Sequence, residues 1–237
     1  MKNNVAFLVV SCDHYCDLWP IFFKTFYKYW SDFPYQLYLA SNFKQYDDEK
    51  VINISFGEDQ PFSTNLINII KKIDEDNIIL WFEDAFLTKK VNSSVVTSII
   101  EKSISSNNDH LKLTVDYPLF YGKKNELFGP IPKGVKYRSA IGMALYKKST
   151  LNQILVPGES AWELDKTTRI DKLDLKFNSL NSDLRFNRPF SVINSVIKGK
   201  WIFNGPKFLK KEGFSNLIKS RKRQSLKDFI YIQLFLF

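Results

Sequence analysis

The sequence predicts an α/β fold, a mostly parallel sheet flanked by helices, on three observations. Short apolar runs alternate with segments of helical period through the first half of the chain, the rhythm of βαβ units. One of those runs, 78–82, is continuously apolar, as a fully buried strand is. With 44% hydrophobic and 25% charged residues in 237, a packed core is within reach and disorder is not the default.

The elements follow in order. Residues 5–10 are a short apolar strand, and Ser11-Cys12-Asp13-His14-Tyr15 is the polar turn after it. Asp17 is placed to cap a helix carrying Pro20 in its first turn, where a missing N–H does no harm. Leu18, Ile21, Phe22, Phe26 and Tyr29 recur at helical spacing until Asp32-Phe33-Pro34 ends it. Residues 35–40 and 51–56 are the second and third strands. Pro61 opens a helix with Leu66, Ile69, Ile70 and Ile73 inward; a strand at 78–82, a helix at 93–104 and a strand at 111–115 complete the alternation. The stretch 117–134, rich in Gly, Pro and Lys, is expected as a loop. Residues 137–146 predict a strand and 149–155 a short helix stopped by Pro157-Gly158. One domain over 1–197 with a basic C-terminal helical extension over 198–237 is the expected organisation.

The charge is unevenly placed. Ten Lys or Arg lie between 198 and 227 against one acid, Glu212, which accounts for the whole net charge of +9. Such a surface fits an anionic partner, nucleic acid or a phosphate-rich membrane face. Cys12 and Cys16 have no second pair to complete a zinc site and are read as reduced thiols. The apolar run at 5–10 is too short for a signal peptide, and none reaches the roughly 20 residues of a spanning helix. A cytoplasmic protein is expected.

In an open parallel sheet, ligands gather beyond the carboxyl ends of the strands. Asp13 follows the first strand, Gly57-Glu58-Asp59 the third, and Glu83-Asp84 the strand at 78–82. Carboxylates on such an edge suit Mg²⁺ or Mn²⁺ shared with substrate phosphates. Glu83-Asp84 stands out because Phe86 and Leu87 continue the apolar chain beyond it and leave the pair in a partly buried niche. Asp74-Glu75-Asp76 reads as a wet turn.

The run VVSCDHYCDLWPIFFKTFYKYW, then LWFEDAFL, then PGESAWELD, resembles bacterial glycosyltransferases of the GT-A type that build lipopolysaccharide, O-antigen and capsule. The resemblance covers about residues 5–165 and, faintly, VIKGKW at 196–201. It implies a nucleotide-sugar donor, UDP foremost, a lipid-linked glycan acceptor and an inverting course. Carried across, Ser11, Asp13 and Tyr15 match the loop that cups base and ribose. Asp84, supported by Glu83, matches the acidic motif that meets the diphosphate through a divalent metal. The usual D-x-D has become E-D-A here, so metal dependence is implied rather than fixed. Glu159 and Glu163 match the late acidic motif near the acceptor, where the general base stands. Asp59 is a further donor-side candidate, and Arg138 a clamp for a phosphate or sugar hydroxyl.

Two of these readings have rivals in the residues themselves. Ser160-Ala161-Trp162-Glu163 is also S-x-x-E, a capping box that would turn Glu163 back to the Ser160 backbone. Arg221-Lys222-Arg223 precedes SLKDFIYIQLFLF, in which Leu226, Phe229, Ile230, Leu234 and Phe237 share a helical face. That tail suits peripheral docking on an anionic inner membrane, or packing on the body. The competing function is a nucleic-acid-binding protein, or a nucleotidyltransferase, using the 198–227 patch. No known nucleic-acid-binding motif and no glycine-rich phosphate loop accompanies it.

Overall fold

The computed structural model describes residues 4–116, 119–123, 125–166, 168–186 and 188–228. In chain order the elements are β1 (Val5–Val10), α1 (Trp19–Tyr29), β2 (Gln36–Ser41), β3 (Val51–Ser55), α2 (Phe62–Ile70), β4 (Asn77–Phe82) and β5 (Ala85–Leu87). There follow α3 (Ser93–Ser105), β6 (His110–Lys112), β7 (Phe128–Pro130), β8 (Ala144–Lys147), α4 (Lys148–Ile154), α5 (Ala161–Lys166) and β9 (Phe177–Leu180). β10 (Val192–Asn194), β11 (Val196–Ile197), β12 (Lys200–Trp201) and α6 (Gly205–Lys211) complete the order.

Eight strands form one sheet in the order β3-β2-β1-β4-β8-β6-β9-β7. β1, β2, β3, β4, β6 and β9 point one way; β8 and β7 run against their neighbours. The period of two in each strand divides the core between the sheet's faces. From β1, Val5, Phe7 and Val9 pack with α1 and α3, while Ala6, Leu8 and Val10 pack with α2 and α4. The many aromatics build the first of these layers: the Phe7 ring lies 5.1 Å from that of Phe26 and 5.3 Å from that of Trp81. Rings at such separations add packing energy beyond the area they bury.

Several elements differ from expectation for physical reasons. Asp17 does not cap α1. The chain first makes a 3₁₀ turn over Asp13–Leu18, and Asp17 pairs instead with Arg221. Asn92 caps α3 by accepting from the Val95 N–H at 3.3 Å. Of the strand expected at 137–146 only Ala144–Lys147 forms. Tyr137 and Met143 take left-handed φ of 59° and 52°, which breaks the ladder. The loop expected at 117–134 contributes edge strand β7, whose Pro130 has no N–H to lose on a sheet border.

Residues beyond 197 pack on the same core. Trp201, Phe208 and Leu209 belong to the same apolar cluster as Phe7 and Phe26, and Phe208 stacks on Phe86 at 5.8 Å. Glu212, almost fully buried, accepts from Lys28 Nζ at 2.7 Å and Tyr29 Oη at 2.8 Å. The expected apolar face at 226–237 lies, beyond Asp228, outside the described residues.

Candidate active site at the carboxyl edge of the sheet

Because β1, β2, β3 and β4 are mutually parallel, the loops after them share one edge. Asn42, just past β2, clasps these loops. Its Oδ1 accepts from the Asp13 N–H at 3.0 Å, its Nδ2 donates to Gly57 O at 3.1 Å, and its own carbonyl accepts from the Gly57 N–H. A buried amide at a strand end is a positional signal, though nothing in the local sequence names its partners.

Glu83 and Asp84 form the turn between β4 and β5. Glu83 is only 7% exposed. Burial foremost, with the like charge of Asp84 beside it, pushes the Glu83 carboxyl well above the ordinary range; Ser11 and Arg221 oppose this. Burial likewise raises Asp84, against hydrogen bonds that include one from the Val196 backbone. The Asp84 carbonyl accepts from both the N–H and Oγ of Ser195, at 2.8 and 2.9 Å. The acid pair is thus gripped from the β10–β11 link. A desolvated, mutually repelling carboxylate pair at a strand end is a strong marker of a functional site.

Ser11 and Tyr15 join this pair. Ser11 Oγ accepts from the Trp19 indole at 2.8 Å and faces Glu83. Burial raises the Tyr15 hydroxyl, with Arg221 pulling down and Glu83 and Asp84 pushing up. Arg221 was missed by sequence reasoning as a site residue. Its guanidinium lies 4.3 Å from the centre of the Tyr15 ring, donates to His14 O at 3.2 Å, and its Nε donates to Asp17 Oδ2 at 3.1 Å.

Other expected site residues are engaged elsewhere. The Asp13 carboxylate accepts from the N–H groups of Phe43 and Lys44, at 3.1 and 3.0 Å. Asp59 accepts from Asn65 Nδ2 at 2.9 Å, a turn before α2. Arg138, 5% exposed, donates to Ile131 O, Asp171 and Leu175 O. It lies over the Phe177 ring as an internal latch, which leaves the clamp expected of it without a free fork. Glu159 takes two hydrogen bonds from Arg169, at 2.6 and 3.1 Å. Glu163 closes the capping box: the Ser160 N–H donates to it at 2.7 Å, and that bond holds its carboxyl below the ordinary range. Both acids expected as proton acceptors are therefore tied up, one by a guanidinium and one by a helix start.

A third acid of the same stretch is differently placed. Asp165 Oδ1 accepts from the Ile141 N–H at 3.1 Å, and burial raises its carboxyl to about 6. Ile141 leads into Gly142, where an added Cβ would stand 3.1 Å from the ring of Phe82, the residue before Glu83. Asp165 thus holds the backbone of the segment that passes beside Phe82. The helix phase offered a signal: Leu164 marks the inward face, and the N–H of Leu164 already bonds the Ser160 carbonyl.

Among the described residues no three His, Cys, Asp or Glu side chains cluster at metal-ligand spacing. The Glu83–Asp84 pair fits a Mg²⁺ or Mn²⁺ ion only as a partial oxygen set, completed by substrate phosphates and water, which is the habit of Mg²⁺ sites. A cavity of about 50 Å³ near Tyr35 and Asn77 lies at the opposite, amino end of the strands and is too small for a nucleotide. Among the described residues no helix is long and apolar enough to cross a membrane.

No family model and no curated protein matches the chain. Among solved structures it is similar to S. aureus TarS 1–349 in complex with UDP-GlcNAc, at TM-score 0.46 and 12% identity, over 74% of this chain and 58% of that one. It is similar to the glycosyltransferase GlyE of Streptococcus pneumoniae TIGR4, at TM-score 0.47 and 11% identity, over 78% and 46%. A cytidylyltransferase from Leptospira borgpetersenii matches at TM-score 0.42 and 11% identity, over 69% and 68%. The chain spans less than two thirds of the length of the TarS structures. At these scores the likeness carries no functional argument, and function rests on the geometry of the edge.

Proposed function

We propose that the chain is a glycosyltransferase that moves a sugar from a nucleoside diphosphate donor, UDP foremost, to a hydroxyl of a glycan acceptor. One observation carries the reading: a buried, mutually repelling acid pair sits at the carboxyl end of the central parallel strand, with Tyr15 against it. Tyr15 offers a ring for the base, and Ser11 orients Glu83. Asp84, with Glu83 in support, would hold a divalent cation, which supplies neutralisation of the departing diphosphate. The acceptor hydroxyl needs a base whose proton affinity is near neutral. Asp165, at about 6, suits that role, whereas Arg169 holds Glu159 and the Ser160 helix start holds Glu163; the transfer is read as inverting.

The acceptor is a lipid-linked glycan of cell-surface polysaccharide synthesis in this reading. Support comes from the exposed Lys198, Lys207, Lys219, Lys222 and Lys227, beside exposed Phe203 and Leu226. Cations among a few apolar groups favour an anionic lipid surface, and the chain would work at the inner face of the membrane.

The test is a thermal-shift series with UDP, UDP-sugars and Mn²⁺ on the chain and on Asp84→Asn. Donor binding to the folded state alone raises the melting temperature, and the substitution should abolish transfer and the metal-dependent part of that rise. A chain indifferent to every nucleotide, yet binding labelled RNA in a salt-sensitive way, would replace this reading with the nucleic-acid one.

A further inference from the structure

Given the nucleoside diphosphate donor proposed for the same edge, we propose that Arg221 is a diphosphate-binding residue, carried into the site by a strap over residues 220–224 and aimed by Asp17.

The strap is fixed at both ends. The Trp201 N–H donates to Lys222 O at 2.9 Å and the Gln224 N–H to Trp201 O at 2.8 Å, which tie it to β12. At the other end Ser220 Oγ donates to Asp17 at 3.0 Å. Between these anchors the Arg221 side chain is 6% exposed, so its position is set by packing rather than chosen by solvent.

A guanidinium has five N–H donors in a planar fork. Nε donates to Asp17, and Nη2 donates to Asp17 and to His14 O. Nη1 has no partner among the described residues, so one end of the fork is left with two donors for an incoming oxygen. One face of the same plane is covered by Tyr15. The acids across from it are Glu83 and Asp84, both of which feel its charge, and Tyr15 feels it too. A guanidinium clamped along one edge and open along the other is a preorganised phosphate binder. It also answers an electrostatic difficulty. Two carboxylates alone repel a diphosphate, and a fixed cation beside them offsets that repulsion whether or not a metal ion is present.

The sequence puts Arg221 in a basic cluster suited either to a membrane surface or to solvent beside a packed helix. Tertiary structure separates it from its neighbours, since Lys222 stays exposed and Arg223 turns to Phe203, donating to its carbonyl at 2.7 Å.

Isothermal titration of the full chain with UDP, CDP, GDP, inorganic pyrophosphate and uridine, with and without Mg²⁺, tests this. Arg221→Ala should weaken every diphosphate, pyrophosphate included, by about tenfold or more, the usual loss for a charge-assisted phosphate contact, and leave uridine unchanged. Arg221→Gln keeps the packing of the stem without the charge and serves if the alanine variant does not fold. Asp17→Asn loosens the clamp but spares the guanidinium, and should cost the diphosphates part of their affinity, less than Arg221→Ala does. Undiminished diphosphate binding in the Arg221 variants would overturn the proposal. So would an equal loss in Asp17→Asn, which would make Arg221 a strut of the strap, or a loss for UDP with none for pyrophosphate, which would make it a base contact. If the unmodified chain binds no diphosphate at all, the donor reading itself falls and this assignment with it.

Discussion

Replacing Asp165 by Asn should make the protein more stable at neutral pH and nearly inactive. Burial raises this carboxyl from an ordinary 3.8 to about 6. The folded chain therefore holds the proton to higher pH than the unfolded chain does. Stability associated with this group is fullest below pH 3.8, falls as pH climbs towards 6, and stays reduced above it. At about 1.36 kcal/mol per pH unit, the deficit at pH 7.5 is roughly 3 kcal/mol, an upper bound because Asp165 keeps some contact with water. Asn retains an oxygen for the Ile141 N–H and removes the buried charge, so most of that deficit should be recovered. For a chain of this length, each 1 kcal/mol corresponds to about 2–4 °C in Tm. Urea unfolding at pH 7.5 and pH 4.5 gives the measurement, with the Asn variant ahead at the higher pH and the gap shrinking at the lower. Turnover should fall about 10²–10⁴-fold, the range for loss of a general base. If the variant is less stable at pH 7.5, or the gap does not change with pH, the carboxylate is not held against its solvation and the assignment as base loses its physical ground.

Two further predictions concern the expectations that geometry redirected. Glu163→Gln should leave turnover unchanged, because Gln can still close the capping box with Ser160; a collapse in rate with donor affinity intact would return Glu163 to the chemistry. Phe208→Ala should destabilise the whole domain by about 3–5 kcal/mol, as core Phe truncations do, because α6 shares the apolar layer of β1 and α1. Chemical denaturation that shows instead a separate early transition for the C-terminal segment would make 198–228 an appendage.

Much of the fold was written locally. The alternation of apolar runs and helical period placed β1, β2, β3 and β4 within a residue and the helices between them within about three, because strand and helix periods are properties of neighbouring residues. Parallel direction then forced Asp13, Asp59 and the Glu83–Asp84 pair onto one edge, so the location of the site was legible. After 116 less was legible: α4 falls where a short helix was expected, but most of the strand expected at 137–146 does not form. Arg138 and Ser139 sit in an apolar run that looks like a strand, yet their side chains bond to Asp171 and to Leu164 O, far along the chain. Those bonds favour turns over a ladder.

The sequence by itself determined the sheet, the edge that carries the acids and the buried character of the Glu83–Asp84 turn, and it offered the capping box at Ser160 as one of two roles for Glu163. Only the tertiary structure decided which charged groups are available there. Arg169 takes Glu159, the backbone of Phe43 and Lys44 takes Asp13, and Asp171 takes Arg138, while Arg221 arrives from the basic tail and Asp165 is left half-desolvated. A carboxylate's neighbours across the chain set its proton affinity and its freedom, and those neighbours exist only once distant segments have packed together.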